Sequence, residues 1–204
     1  RVKVARLEGA EVLRDPQVGL VLDDAELGGF LDSLARGRAP GYLMTRIDEL
    51  PEPMRDALPT PAVCARGSRP VSKLWISGAG TVSSLHFDVQ SNLHTVLSGA
   101  KRFLLFAPGD ALRVHPYGPL SSVPNGAAVD PEAPDLTRHP RFARARAHIA
   151  EIGAGETIFV PPGWWHHVRS LEPTIAVNTW WAEGPARALA LGADLFKRMR
   201  GISR

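Results

Sequence analysis

The chain has 204 residues, 44% hydrophobic and 22% charged, enough apolar material for one substantial domain and too little charge for a disordered one. Its net charge of +3 is mild, all but four of its 24 basic residues are arginine, and the longest basic piece is the short FKRMR near the end, so a nucleic-acid surface is not indicated. A single cysteine, Cys64, excludes an internal disulfide; with no apolar run near the ~20 residues of a membrane span and no signal-peptide pattern, a soluble cytoplasmic protein is expected, and the start at Arg1 leaves room for sequence upstream.

Residues 1–20 carry short β-like pieces, RVKVARL and AEVL. In DDAELGGFLDSLARG, Leu27, Phe30, Leu31 and Leu34 recur at helical spacing, with Asp23 or Asp24 placed to cap the helix and Gly37 to end it. GYLMTRI (41–47) has strand character, and PEPMRDALP suggests a short helix between prolines. From residue 72 strand follows strand: SKLWISG, SSLHFDV, SNLHTVLSG and KRFLLFAP, with a tight turn at Ser98-Gly99. An irregular stretch, about 108–143, holds seven prolines, and its length predicts a functional lid rather than a connector. Strands resume at AHIAEIG, ETIFVPP, WHHVRSL and TIAVNTWW. The tail PARALALGADLFKRMR, about 184–199, is amphipathic, with Leu189, Leu191, Leu195, Phe196 and Met199 on one face; that face packs on its own barrel or forms a homodimer. Many short strands with Gly/Pro turns between flanking helices predict a mainly β sandwich or barrel. There is no internal repeat.

Polar residues interrupt these apolar strands in a pattern. Strand side chains alternate, so His86 and Asp88 point the same way, with Phe87 opposite. A third ligand must come from another strand, and PPGWWHHVRSL offers one. His166 shares parity with Val168, whereas His167 shares it with Arg169, which favours His166; Trp165, on the side of His167, weakens that choice. Two imidazoles and one carboxylate form the facial donor set that suits non-haem Fe(II) and leaves positions open. A closed structural zinc site would usually use four ligands, often cysteines. Lys101 opens KRFLLF on the face of Phe103 and Leu105. A lysine there is costly unless it snorkels to water or meets an anion, and a five-carbon dicarboxylate fits: one end chelates iron, the other meets the ammonium. Asn92 and His94 share the parity of His86 and Asp88.

The motifs LHFDVQSNLHTVLSGAKRFLLFAP, GETIFVPPGWWHHVRSL and TIAVNTWW together resemble the JmjC/cupin-like Fe(II)- and 2-oxoglutarate-dependent oxygenases, over roughly residues 40 to 182. Within that family the pattern is most like the asparaginyl hydroxylase that acts on hypoxia-inducible factor. The resemblance implies a double-stranded β-helix (jelly roll, cupin) with its core at about 40–182 and flanking helices; with no break in the chain, residues 1–204 are read as one domain. It implies that His86, Asp88 and His166 are the iron ligands and that Lys101 pairs with the distal carboxylate of 2-oxoglutarate. Tyr42 matches a tyrosine on that same carboxylate. Ser83 stands where a threonine contacts it; simple alternation turns Ser83 away from His86, so a bend is needed, or Ser84 serves instead. Asn92 and Asn178 match amides near the iron-bound end, and Trp180 an aromatic on the substrate side. His94 departs from the family, which has an apolar aromatic there; it either donates a hydrogen bond to 2-oxoglutarate or is a satisfied buried histidine. His115, His139 and His148 read as loop or surface residues.

The activity so implied is hydroxylation of a C–H bond, most plausibly on a peptide or protein side chain, with 2-oxoglutarate converted to succinate and CO₂. Asp88 argues against halogenation, because related halogenases lack this carboxylate. The alternatives are a small-molecule hydroxylase of the same class, a non-enzymatic metal-binding cupin, or a cupin metalloenzyme without cosubstrate, which would not need Lys101.

Overall fold

The structure is a computed structural model that describes residues 2–5, 7, 8, 11, 12, 14, 15, 19, 20, 22–38, 41–66, 70–121, 123–184 and 188. Its strands are β1 (Val2–Ala5), β2 (Leu7–Glu8), β3 (Glu11–Val12), β4 (Arg14–Asp15), β5 (Gly19–Leu20), β6 (Leu22–Ala25), β7 (Tyr42–Arg46) and β8 (Val71–Ser77) in the first part of the chain. There follow β9 (Val82–Phe87), β10 (Ser91–Ser98), β11 (Ala100–Phe106), β12 (His148–Gly153), β13 (Thr157–Val160), β14 (Trp165–Ser170) and β15 (Thr174–Trp181). Two α-helices are α1 (Leu27–Ala35) and α2 (Glu52–Asp56), and short 3-10 turns lie at Ile47–Glu49, Ala62–Arg66, Pro108–Asp110 and Pro140–Arg144.

One sheet runs β13-β10-β15-β8-β7-β1-β6, a second β12-β11-β14-β9-β3-β2, and β4 and β5 pair as a separate two-stranded sheet. From β8 onward successive strands distribute four to each sheet, β8, β15, β10, β13 against β9, β14, β11, β12, which is jelly-roll order. The pairings within this core are antiparallel. Alternation supplies the core between the sheets, where Val96, Phe103, Leu105, Ile152, Val160 and Val168 meet. A second apolar cluster, from Val2 and Val4 through Phe30 to Leu74 and Ile76, packs α1 onto β1, β7 and β8.

Gly99 makes the turn from β10 to β11. Its φ is +77°, and a Cβ there would lie 2.2 Å from the carbonyl oxygen of Pro173. This turn carries the chain from one sheet to the other and sets the register of Lys101.

Two expectations need correction. Asp23 and Asp24 do not cap α1: both lie in β6, opposite Val4 and Lys3, and Lys3 holds Asp24 at 2.8 Å. The N-cap is Glu26, with no side-chain capping bond, whereas Gly37, at φ +69°, does follow the helix end. The proline-rich stretch is chiefly a cover rather than a lid. Val114, Ala127, Val129 and Phe142 bury Leu85, Leu104, Phe106 and Trp165 on the outer face of the six-stranded sheet. The segment 184–199, and with it the expected dimer contact, lies outside the described residues except for Gly184 and Ala188. Among the described residues no helix is long and apolar enough to cross a membrane.

Candidate functional site

β9 and β14 are neighbours, and His86 is the register partner of His166. Their rings lie side by side, centroids 4.2 Å apart. Asp88 follows the end of β9, and its Oδ2 is 3.8 Å from Nε2 of His166. One ligand atom from each of His86, Asp88 and His166 lies within 4.8 Å of the others. Each histidine is oriented by a main-chain carbonyl: Nδ1 of His86 donates to Ser84 at 2.7 Å, and Nδ1 of His166 to Trp164 at 3.0 Å. A carbonyl only accepts, so the proton sits on Nδ1 and Nε2 keeps its lone pair for a metal. Trp180 donates Nε1–H to Oδ2 of Asp88 at 2.9 Å, steadying the carboxylate. The donors and their tautomers therefore fit a divalent ion with positions left open for other ligands.

His167 points to the opposite face, and its position explains why strand parity alone was ambiguous. The outer face of β14 is also buried, beneath the 108–143 cover, so Trp165 and His167 are as shielded there as His166 is inside. His167 meets Asp130 and Glu132 in a second group whose ligand atoms lie within 4.8 Å. Glu132, however, already accepts from Nε of Arg169 at 2.9 and 2.7 Å on its two oxygens, and from the Arg169 terminal nitrogen. This ion pair ties the cover to β14, and Arg169 competes with any cation for the Glu132 carboxylate.

At the other end of the inner face stands Lys101, 1% exposed. Its amine donates to the Ser170 hydroxyl at 3.0 Å and reaches that of Tyr42 at 3.5 Å. Ser170 shares hydroxyl contacts with Ser77 and Thr174. These partners among the described residues are neutral hydroxyls, so burial pushes the amine down to about 7. Burial pushes Tyr42 up, which keeps its phenol a proton donor. Ser83 joins the group through a β-bulge. Val168 pairs with Ser83 while His166 pairs with His86, so β9 spends one more residue than β14 over this interval. That bulge is the bend the sequence required: it brings Ser83 to the inner face, where its side chain hydrogen-bonds Tyr42. Ser170, Ser77 and Thr174 were not foreseen. The usable signal was the parity Ser170 shares with His166, but only the register shows that Ser170 lies opposite Lys101.

The seven-stranded sheet supplies the facing wall. Asn92 pairs across to Trp180 and His94 to Asn178. Nδ2 of Asn178 donates to Oδ1 of Asn92 at 2.9 Å. His94 is buried, with its ring edge-on to Phe103 at 5.0 Å between centroids. Burial first, then the charges of Lys101 and His166, push its pKa well down and keep it neutral. The structure thus brings His86, Asp88, His166, Lys101 and Ser83 from one sheet to face Tyr42, Asn92, His94, Asn178 and Trp180 from the other. His115 and His139 meet edge-on in the cover, and His148 is exposed on edge strand β12.

A sequence profile described as a cupin-like domain matches residues 27–187. Lysine-specific demethylase 8 of Xenopus tropicalis is 30% identical over 148 residues, covering 70% of this chain and 33% of that protein. The bifunctional peptidase and (3S)-lysyl hydroxylase JMJD7 of Homo sapiens is 33% identical over 183 residues, covering 74% of this chain and 58% of that protein. Lysine-specific demethylase JMJ31 of Arabidopsis thaliana is 34% identical over 130 residues, covering 63% and 24% respectively. The chain spans between 24% and 58% of the length of these relatives.

Proposed function

This chain belongs to the cupin-like domain family, and on that premise we propose that it is an Fe(II)- and 2-oxoglutarate-dependent dioxygenase that hydroxylates a C–H bond on a peptide or protein side chain. The observation that carries the reading is the buried amine of Lys101, with hydroxyl partners, on the same inner face as a converging His86, Asp88 and His166. A charged amine so placed is stabilised by an anion delivered from outside.

His86, Asp88 and His166 would hold the iron, and the Nδ1 bonds already fix the imidazoles for it. When bound, Fe(II) with 2-oxoglutarate and O₂ would supply the oxidation: one oxygen atom would enter the substrate C–H bond and the other the succinate formed as CO₂ is lost. Lys101, Tyr42, Ser83 and Ser170 offer donors to the distal carboxylate. Asn92 and Asn178 offer amides near the metal end. Phe103, Leu105 and Val168 wall this path with apolar surface and exclude water from it. Trp180, through Asp88, joins the facing sheet to the metal ligands.

Lysine-specific demethylase 8 and the (3S)-lysyl hydroxylase JMJD7 are both named for lysine, which favours a lysine-bearing peptide as substrate. The likeness to the asparaginyl hydroxylase rests on motifs alone, so asparagine peptides are the comparison.

Anaerobic titration of the protein with Fe(II) and then 2-oxoglutarate tests the assignment. A charge-transfer absorption that requires both components is expected, followed in air by iron-dependent succinate formation that rises with the right peptide. Binding of iron with no response to 2-oxoglutarate would sink the reading in favour of a metal-binding cupin. Full metal-dependent activity in Lys101→Ala would favour a cosubstrate-free metalloenzyme.

A further inference from the structure

We propose that His94 binds the keto-acid end of the 2-oxo acid cosubstrate, so that recognition of that end depends on this imidazole while recognition of the far carboxylate depends on Lys101. This deepens the function proposed above and rests on it.

Strand pairing arranges the inward side chains in rows. On the six-stranded sheet, Lys101 and Ser170 form the lowest row, Phe103, Val168 and Ser83 the next, and Leu105, His166 and His86 the metal row. On the seven-stranded sheet, Tyr42, Ser77 and Thr174 stand at the level of Lys101. Asn92 and Trp180 stand at the metal level, because Trp180 bonds Asp88. His94 and Asn178 are one row below that and above the row of Ala176 and Val96. The imidazole therefore lies beside the first atoms of a ligand reaching from the metal toward Lys101, and Phe103 backs it from the other sheet.

Two buried atoms in this row, Nε2 of His94 and Oδ1 of Asn178, form no well-aligned hydrogen bond, although their side chains face and interact with each other across the β10–β15 pairing, so His94 is held beside an amide that leaves its donor incompletely satisfied. His94 itself is 4% exposed. A buried polar atom left unpaired costs about 1–3 kcal/mol. Packing does not demand that cost, since an apolar aromatic would fill the same space against Phe103 without it. A carboxylate and its neighbouring keto group bring both oxygen acceptors and charge to this level. A neutral imidazole, which burial enforces here, can turn an N–H to them without adding a second cation beside the metal. His94 is not among the side chains whose ligand atoms converge with those of His86, Asp88 and His166, so it leaves the metal positions to the cosubstrate.

The test compares two keto acids under anaerobic Fe(II): 2-oxoglutarate and 2-oxobutyrate, which keeps the keto-acid end and lacks the distal carboxylate. Affinities are read by calorimetry or by the charge-transfer band, in the unaltered protein, His94→Phe and Lys101→Met. His94→Phe is expected to weaken both ligands by the same factor, about tenfold or more for a lost hydrogen bond to a charged group. Fe(II) affinity is expected to stay unchanged. Lys101→Met is expected to weaken 2-oxoglutarate alone. Should His94→Phe fold poorly, His94→Gln and His94→Leu repeat the comparison, the first keeping a donor and the second removing it. The inference is overturned if loss of the donor leaves both affinities within twofold, weakens only 2-oxoglutarate, or weakens the metal itself. Failure of the unaltered protein to bind either keto acid overturns the function proposed above instead, before any variant is compared.

Discussion

Lys101 sets the electrostatics of the inner face. The unfolded chain titrates this amine near 10.5, while the folded protein, by burying it, holds it at about 7. Above 10.5 the amine is neutral in both states and folding carries no penalty from it; below about 7 it is charged in both and the penalty is complete. The unliganded protein therefore gains stability as pH rises between those values. Lys101→Met should raise apo stability at pH 7 by at least about 1 kcal/mol, a gain that shrinks to nothing toward pH 10.5 in urea titrations. The same variant should lose 2-oxoglutarate binding and keep Fe(II). Binding a dicarboxylate restores the charge, so at pH 8 the unaltered protein should take up close to one proton per cosubstrate, measurable by calorimetry in buffers of different ionisation heat. A lysine that stays exposed would show none of this. The residue was legible because ammonium on an apolar strand face is anomalous. Its partner Ser170 was not, because hydroxyls are commonplace on strands and only the register with Lys101 gives this one meaning.

Elements were legible where alternation carried them and obscure where two residues, rather than one, shared the work. Each strand from β8 to β15 falls where its sequence placed it, since a half-buried strand must alternate. The β9 bulge left no such trace, although Ser83 announced the need for it. The cover over 108–143 was misread because its few apolar anchors, such as Val114, Val129 and Phe142, are scattered among prolines. The Glu132–Arg169–His167 contact holds that cover. Glu132→Ala should cost about 1–3 kcal/mol by removing the carboxylate that faces Arg169 and His167, and 2-oxoglutarate affinity should stay within about twofold because the contact faces outward. Arg169 holds the Glu132 carboxyl below its ordinary range. Its stabilisation is thus present above the usual glutamate pKa and lost as pH falls through the lowered one, so the variant's deficit should narrow in acid. A large loss of cosubstrate affinity in Glu132→Ala would show that the cover shapes the inner face after all. Gly99→Ala tests the turn: a side chain at φ +77° against the Pro173 carbonyl should cost more than about 1 kcal/mol and weaken cosubstrate binding by displacing Lys101.

Across the whole molecule, the donors divide by sheet. The metal ligands and Lys101 come from the six-stranded sheet and the turn after β9, while Tyr42, Asn92, His94, Asn178 and Trp180 come from the seven-stranded one. Under the proposed function, iron alone cross-links β9 to β14, neighbours already hydrogen-bonded to each other. The cosubstrate then bridges the two sheets, adding to the Trp180–Asp88 bond at the metal end and the Lys101–Tyr42 and Ser170–Ser77 contacts at the other. Each ligand present at a hundred times its Kd adds about 2.7 kcal/mol, or roughly 5–10 °C in a domain of this size. Iron alone should therefore raise Tm and slow amide exchange chiefly in β9 and β14. Adding 2-oxoglutarate should extend protection to β10 and β15, and 2-oxoglutarate without iron should do much less, because its keto-acid end then lacks its main anchor. Equal stabilisation by 2-oxoglutarate with and without metal, or protection that never crosses to the second sheet, would place the cosubstrate somewhere other than between them.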